Sequence, residues 1–331
     1  MKKVVALLLT AVFAISLLMT GCANGSSGSS GKSNKVLKVG ILQYVQHPAL
    51  DAVTENAKKA LNDAGFVENK NITYDFQNAQ GEVANCKTIA QKFVSEKVDL
   101  ILAVATPAAQ AVVSETTDIP VVFSAVTDPV KADLVKDVKA PDKNVTGVSD
   151  YVKVEPLMKQ IEKLYPNFKS IGAIYNKGEI NSVSSIDELK AWASTNGKEV
   201  VDGTVANTSE IQQVVSSVAP KVDILFSPTD NAIASAMPTA IQTAIDSKKP
   251  YFVSEEGMVK NGGLMAVGMN YTIVGQATGE IMVQILNGKK PSEIPVKYLD
   301  ILDLYLNQKT ADSLGLTIPA DMLSSAKEVI K

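Results

Sequence analysis

The residues able to bind or react sit in short polar segments that follow apolar runs. Gln43, Tyr44 and His47 follow Val36–Leu42. Thr106, Pro107 and Ala108 follow Val98–Leu102, Thr127 and Asp128 follow Ile119–Phe123, and Asp150 ends a fourth segment. Farther on, Tyr175 precedes Glu179, Asn181 and Ser182; Thr229, Asp230 and Asn231 stand together; and Glu255 and Glu256 follow Tyr251–Val253. Thr106-Pro107 reads as an N-cap with proline at N1, and Asn181-Ser182 as another helix start. Such ends present free backbone N–H groups and the positive end of a helix dipole, which together receive an anion without any arginine. The acids suit the opposite charge. Asp230 and Asp150 are the preferred pair for a ligand ammonium, although Asp is also common in loops for turn reasons alone. Tyr44 and Tyr175 follow corresponding apolar runs and are placed to stack on a flat ligand, or else are ordinary loop tyrosines facing solvent. His47, before Pro48, is expected as a lip residue or a satisfied loop histidine rather than a base.

Composition removes several kinds of chemistry. The 331 residues are 46% apolar and 20% charged, a folded composition of about two domains. All 32 basic residues are lysine, so no guanidinium fork or arginine finger is available. The formal charge of −3 and the absence of a lysine patch interleaved with aromatics exclude nucleic acid as the main partner. One histidine and two cysteines are too few for a His/Cys zinc cluster, so no metal is expected. Neither a G-x-S-x-G elbow nor a P-loop motif is present, and Gly262-Gly263 with Gly268 lacks dinucleotide-binding spacing. The carboxylates form no recognisable catalytic pair. No catalytic residue, no cofactor and no enzyme are expected.

The elements that must position these residues repeat. Val36–Leu42 reads as a strand, and Leu50–Ala64 as an amphipathic helix closed by Gly65. The pattern returns 132 positions later, where Ile171-Gly172-Ala173-Ile174 matches Val39-Gly40-Ile41-Leu42 and Gly197 matches Gly65. Val98-Asp99-Leu100-Ile101-Leu102 is matched by Val222-Asp223-Ile224-Leu225-Phe226, and Ile119-Pro120 by Lys249-Pro250. Fully apolar strands alternating with helices predict two similar α/β lobes, each a doubly wound parallel sheet. Ligands of such sheets lie beyond the carboxyl ends of the strands, which here is a cleft between the lobes. The expected division is residues 35–148 with about 272–300 as one lobe, and 149–271 with about 301–331 as the other. Val145–Val154 and the passage after Met265–Tyr271 are candidate hinges. A strand at Ile301–Leu306 and helices at Ile273–Leu286 and Met322–Ile330 complete the reading. Cys86, in register with Ala90 and Phe93, is expected as a buried thiol, and Trp192 as a core packer.

Ahead of the lobes, Lys2 and Lys3 precede an apolar run from Val4 to Met19, the pattern of a secretory signal over residues 1–21. Leu18-Met19-Thr20-Gly21-Cys22 resembles the lipobox of bacterial lipoproteins, in which the cysteine is acylated and becomes the N-terminus. That makes Cys22 a lipid anchor on the extracytoplasmic face of a membrane. Residues 22–34 are a Gly/Ser-rich tether whose 12 residues after Cys22 reach roughly 17–21 Å as a flexible coil.

Several motifs together resemble the solute-binding proteins of ATP-binding cassette importers, in the branch associated with tryptophan and tyrosine uptake. They are Val39–Gln43, Ala105-Thr106-Pro107-Ala108-Ala109-Gln110, Val126-Thr127-Asp128-Pro129, Thr146-Gly147-Val148-Ser149, Tyr175-Asn176 with Asn181-Ser182, Leu306–Ala311 and Leu314–Pro319. The resemblance implies a periplasmic-binding-protein type I-like fold, capture of a small solute, most readily an aromatic amino acid, and delivery to a membrane permease. A ligand sensor of the same fold, or a sugar- or nucleoside-binding protein, is the alternative.

Overall fold

The computed structural model describes residues 35–331, of which Val36–Lys331 form one compact unit. The expected signal peptide, Cys22 and the expected tether lie outside the described residues. Leu37–Gln43 (β1), Pro48–Asp63 (α1), Ile72–Asn78 (β2), Val83–Ser95 (α2), Leu100–Val104 (β3), Thr106–Glu115 (α3), Val121–Ser124 (β4) and Val145–Ser149 (β5) open the fold. Val154–Leu164 (α4), Ser170–Asn176 (β6), Ile180–Thr195 (α5), Glu199–Val205 (β7), Ile211–Val218 (α6), Ile224–Ser227 (β8), Asn231–Ser235 (α7), Met237–Asp246 (α8) and Tyr251–Val253 (β9) follow. Glu256–Lys260 (α9), Met265–Gly268 (β10), Tyr271–Leu286 (α10), Lys297–Tyr298 (β11), Asp303–Asn307 (β12), Gln308–Ser313 (α11), Ala320–Ser325 (α12) and Glu328–Ile330 (β13) end it.

The strands form an all-parallel sheet in the order β11-β5-β4-β3-β1-β2 and a second all-parallel sheet in the order β7-β6-β8-β9. The run β2-β1-β3-β4 has the same order as β7-β6-β8-β9, which is the repeat of the sequence expressed as topology. Both sheets are apolar on two faces because helices cover both. Gly40 shows how closely they are covered: a Cβ there would stand 2.7 Å from the Phe93 ring, the ring that packs in the core with Cys86 and Ala90. Trp192 lies half-buried against the core of the second lobe.

A third sheet, β10-β12-β13, extends the second lobe, with β10 and β12 antiparallel and β12 and β13 parallel. This corrects the expected C-terminal helix. It stops at Ser325, where Ala326 turns extended (φ −67, ψ 137), and Val329-Ile330 pair with the open edge of β12. Two β-branched residues beside an unpaired strand edge are better placed in a ladder than in a last helical turn. The strand before them starts at Asp303 instead of Ile301, and Ile301 and Leu302 are exposed.

The chain passes between the lobes after β5, after β10 and after β11. The second passage delivers α10 onto α1. A Cβ on Gly275 would lie 2.6 Å from the Val53 carbonyl oxygen, and one on Gly279 would lie 2.5 Å from the Ala60 Cβ. The two helix backbones therefore touch without intervening side chains, and their N-termini, with His47 and Tyr271, lie side by side at the cleft.

Candidate functional site

Every strand of the two parallel sheets points its carboxyl end at the space between the lobes, and the turns there carry the polar side chains. β1 leads to His47, which precedes α1 with an extended backbone (φ −160). β4 leads to Ala125 and Thr127, β5 to Asp150, β8 to Thr229–Asn231, β9 to Glu255 and β10 to Tyr271. These residues, with Leu50 and Asn181, line one inner cavity with about 10 Å³ of open space. That is about the volume one water-sized group requires. Backbone strain marks the same ends: Ala105 (φ 83) and Ala125 (φ 54) hold positive φ directly after β3 and β4. Such conformations cost about 1–3 kcal/mol each and persist where surrounding structure enforces them.

Two groups of buried acids face this cavity. In the second lobe, Asp230 caps α7 by accepting from Ile233 N at 2.9 Å, and it also accepts from Asn176 N at 2.6 Å and Ser182 Oγ at 2.7 Å. Glu179 accepts from Asn231 N at 3.2 Å, Ala232 N at 3.1 Å, Asn181 Nδ2 at 3.1 Å and the Asn231 side-chain amide. Burial raises the pKa of both acids, and the Asp230 charge raises Glu179 further. Toward the first lobe, Asp150 accepts from Thr127 Oγ1 at 3.0 Å and Tyr271 OH at 2.8 Å. Burial holds Asp150 above the ordinary carboxylate range, against those two hydroxyls.

Glu255 is different. Only 1% exposed, it has no partner in hydrogen-bond geometry on either oxygen, because the Tyr271 hydroxyl beside it, which holds its pKa down a little, donates to Asp150. Burial, helped by the charge of Asp150, pushes its pKa up to about 8. Its Oε1 stands 3.8 Å from His47 Nδ1, which is also unpartnered. His47 Nε2 lies 3.4 Å from Asn231 Oδ1 and spans the lobes. Because the Asn231 amide nitrogen is committed to Glu179, its oxygen faces the imidazole, which assigns the ring proton to Nε2. Burial lowers the His47 pKa to about 4, so the ring is neutral near pH 7.

Of the residues singled out in the sequence, Thr127, Asp150, Asn181, Thr229, Asp230, Asn231 and Glu255 meet at the cavity. Others go elsewhere, each for a local reason. Gln43 is held inside the first lobe, donating to Val45 O and Asp51 Oδ1 and accepting from Thr54 Oγ1. Tyr175 is buried in the second core, with its hydroxyl 3.3 Å from Asp202 Oδ1, so it stacks on no ligand in the cleft. Ser182 donates to Asp230 and is not free to receive an anion. Thr106 is the first residue of α3 and not its cap, because Ala105 makes the turn. Thr106 and Ala108 are buried and do not line the cavity, although the Thr106 hydroxyl has no partner. Asp128 lies in an outer groove with Thr127, Tyr151 and Tyr298, where its Oδ2 accepts from Ser184 Oγ across the lobes at 3.2 Å.

Tyr44 lines a wider interlobe cleft of about 470 Å³ with Asn176, Asn207, Thr208 and Ala232. Burial raises its pKa, and the charges of Glu179 and Asp230 add to the rise. The wide cleft therefore adjoins the small cavity. Tyr271, Leu50 and Ala125 are not legible as site residues, and His47, expected as a lip residue or a satisfied loop histidine, lines the cavity. The signal for Tyr271 was its place just past an apolar run, Met265–Gly268, that the topology makes another strand end.

Two α/β lobes whose strand ends meet on a buried polar cavity, with three chain passages between them, define a solute-binding protein. The chain matches the family model for ABC transporter substrate binding protein over residues 38–330 and belongs to that family. It is thus the extracytoplasmic solute-binding component of an ATP-binding cassette importer. It is 40% identical to a tyrosine-binding protein of Clostridioides difficile (strain R20291), over 95% of this chain and 93% of that one. It is also 40% identical to an ABC domain from Streptococcus pneumoniae solved in complex with L-Trp, with a TM-score of 0.86 over 89% of this chain and 99% of that one. A ligand-free, open substrate-binding protein from Clostridium difficile is 42% identical but superposes with a TM-score of 0.68, over 89% of this chain and 100% of that one. At equal sequence distance, the lobes match the arrangement of the complex better than that of the open form.

Proposed function

We propose that this protein captures a free aromatic amino acid between its lobes and presents it to a membrane permease. The observation that carries the reading is Glu255, a buried carboxylate without a donor in a cavity lined by no cationic side chain. A ligand ammonium supplies the missing donors and charge. The adjoining cleft beside Tyr44 is large enough for an aromatic side chain, and tyrosine and L-Trp are the ligands of the relatives named above. With no arginine in the chain, the ligand carboxylate falls to backbone N–H groups. Contact with both lobes favours the closed state, so closure signals loading to the permease, and no chemical step is assigned.

Titration calorimetry of ligand-stripped protein against L-tyrosine, L-tryptophan and L-phenylalanine tests the reading. Binding of at least one is expected, together with a smaller radius of gyration in solution scattering. A sugar or nucleoside binding in their place would overturn it. We further propose Cys22 as the acylated anchor. Cys22→Ser should release the protein from membranes, and continued membrane fractionation would reject the anchor.

A further inference from the structure

We propose that the inner cavity is an amine-specific receptor, so that arylethylamines lacking the α-carboxylate are ligands of this protein as well. The inference rests on the aromatic amino-acid reading and narrows it to the group that is recognised.

Four cavity-lining side-chain atoms are buried without a hydrogen-bond partner: His47 Nδ1, Asn181 Oδ1, Glu255 Oε1 and Glu255 Oε2. Once Glu255 gives up its proton, as an arriving ammonium requires, all four are acceptors. The histidine is one because its proton is on Nε2. The asparagine is one because its Nδ2 donates to Thr229 O at 2.9 Å and to Glu179 Oε2 at 3.1 Å, which fixes the amide the other way round. The lining donors are already engaged: Thr127 and Tyr271 hydroxyls on Asp150, the Thr229 hydroxyl on Tyr271, His47 Nε2 on Asn231 Oδ1, and the Asn231 and Asn181 amides on Glu179. The cavity therefore lacks donors, and an ammonium brings three of them with a positive charge. Its open space of about 10 Å³ admits a group the size of water or ammonium, and a carboxylate beside it would face Asp150, Asp230 and Glu255. His47 Nδ1 and Glu255 Oε1, 3.8 Å apart on opposite lobes, are joined when one ammonium donates to both. The amine thus links the lobes, whereas the carboxylate lies outside the cavity and adds only backbone hydrogen bonds.

The test is competition calorimetry with ligand-stripped protein and six compounds: L-tyrosine, L-tryptophan, tyramine, tryptamine, 3-(4-hydroxyphenyl)propionate and indole-3-propionate. Removing the carboxylate is expected to weaken binding by no more than about tenfold, and removing the amine by at least about a hundredfold. Glu255→Gln should weaken amine and amino acid by the same factor. A propionate that binds as well as or better than its matched amine would overturn the inference. An amine that binds where neither amino acid does would retain it and discard the amino-acid reading. Silence from all six compounds would discard both.

Discussion

The Glu179–Asp230 pair and Glu255 lie around one small cavity yet differ in what surrounds them. Glu179 and Asp230 belong to a single lobe and have a donor for each oxygen, from backbone N–H groups at the start of α7 and at Asn176 and from the side chains of Asn181 and Ser182. Glu255 faces the other lobe and has none. A buried carboxylate is expensive unless hydrogen-bonded or paired, and it is retained without partners only where something else supplies them. The first group holds loops in place. On the function proposed above, the second is completed by a ligand. Charge and burial are nearly the same in both, so donor count, not the acid itself, separates scaffold from site.

The largest effect that sharpens this contrast should come from Asp230→Ala. It removes the cap of α7 and leaves the Asn176 and Ile233 N–H groups and the Ser182 hydroxyl buried without acceptors. Each such group costs about 1–3 kcal/mol, so a loss of roughly 3–5 kcal/mol in unfolding free energy is expected. Denaturant unfolding measures it, and a loss below about 1 kcal/mol would place Asp230 with the ligand instead. Glu255→Gln should do the opposite. It replaces a side chain that is protonated below about pH 8 with a neutral one of the same shape, so the ligand-free protein keeps its stability, while the charge an ammonium needs is lost and affinity falls by at least about a hundredfold. Calorimetry and thermal unfolding on one sample check both signs, and unchanged affinity would end the contrast.

Much of this scaffold was readable in the sequence. Apolar runs 132 positions apart gave the two lobes, and the rule that ligands lie at strand ends led to seven of the cavity residues. What was not readable depends on which neighbour arrives from far away. Ser182 and Asp230 both look like binding residues until folding brings them 2.7 Å apart, where each satisfies the other. Tyr175 follows its apolar run much as Tyr44 does, yet at the 132-residue spacing it matches Gln43, one position earlier, and it packs in the core with its hydroxyl at Asp202 on β7. His47 looks like a loop residue because nothing local shows that α10, α7 and Glu255 will bury it. Glu255 stood in the candidate set without priority over Asp230, since the absence of a partner is a property of the fold and not of the residue.

The smallest effect is a pH dependence, and it carries the same contrast with opposite signs for stability and binding. Glu255 holds its proton up to about pH 8 in the folded protein but loses it near the ordinary value of 4.5 once unfolded. Between those values the folded state binds the extra proton, so the stability of the ligand-free protein falls as pH rises. Glu179, raised by burial, adds to the fall. His47, lowered from 6.5 to about 4, works the other way but only below about pH 6.5, so the window from 6.5 to 8 belongs to the acids. The other groups near Glu255 are Asp150 and Tyr271, which burial holds in their protonated forms more firmly than usual, and Glu256. Binding runs against the stability trend: an ammonium needs Glu255 ionised, so affinity should rise with pH through the same window, by at most about tenfold per unit. Binding below pH 8 must then release a proton, which appears as a dependence of the calorimetric heat on the buffer's ionisation enthalpy. In Glu255→Gln the rise in affinity should vanish while part of the stability slope, that of Glu179, persists. An affinity flat from pH 6.5 to 8 in the unmodified protein would mean that the ligand ammonium rests on Asp150 or Asp230, and that the acid with no donors is not the one that receives it.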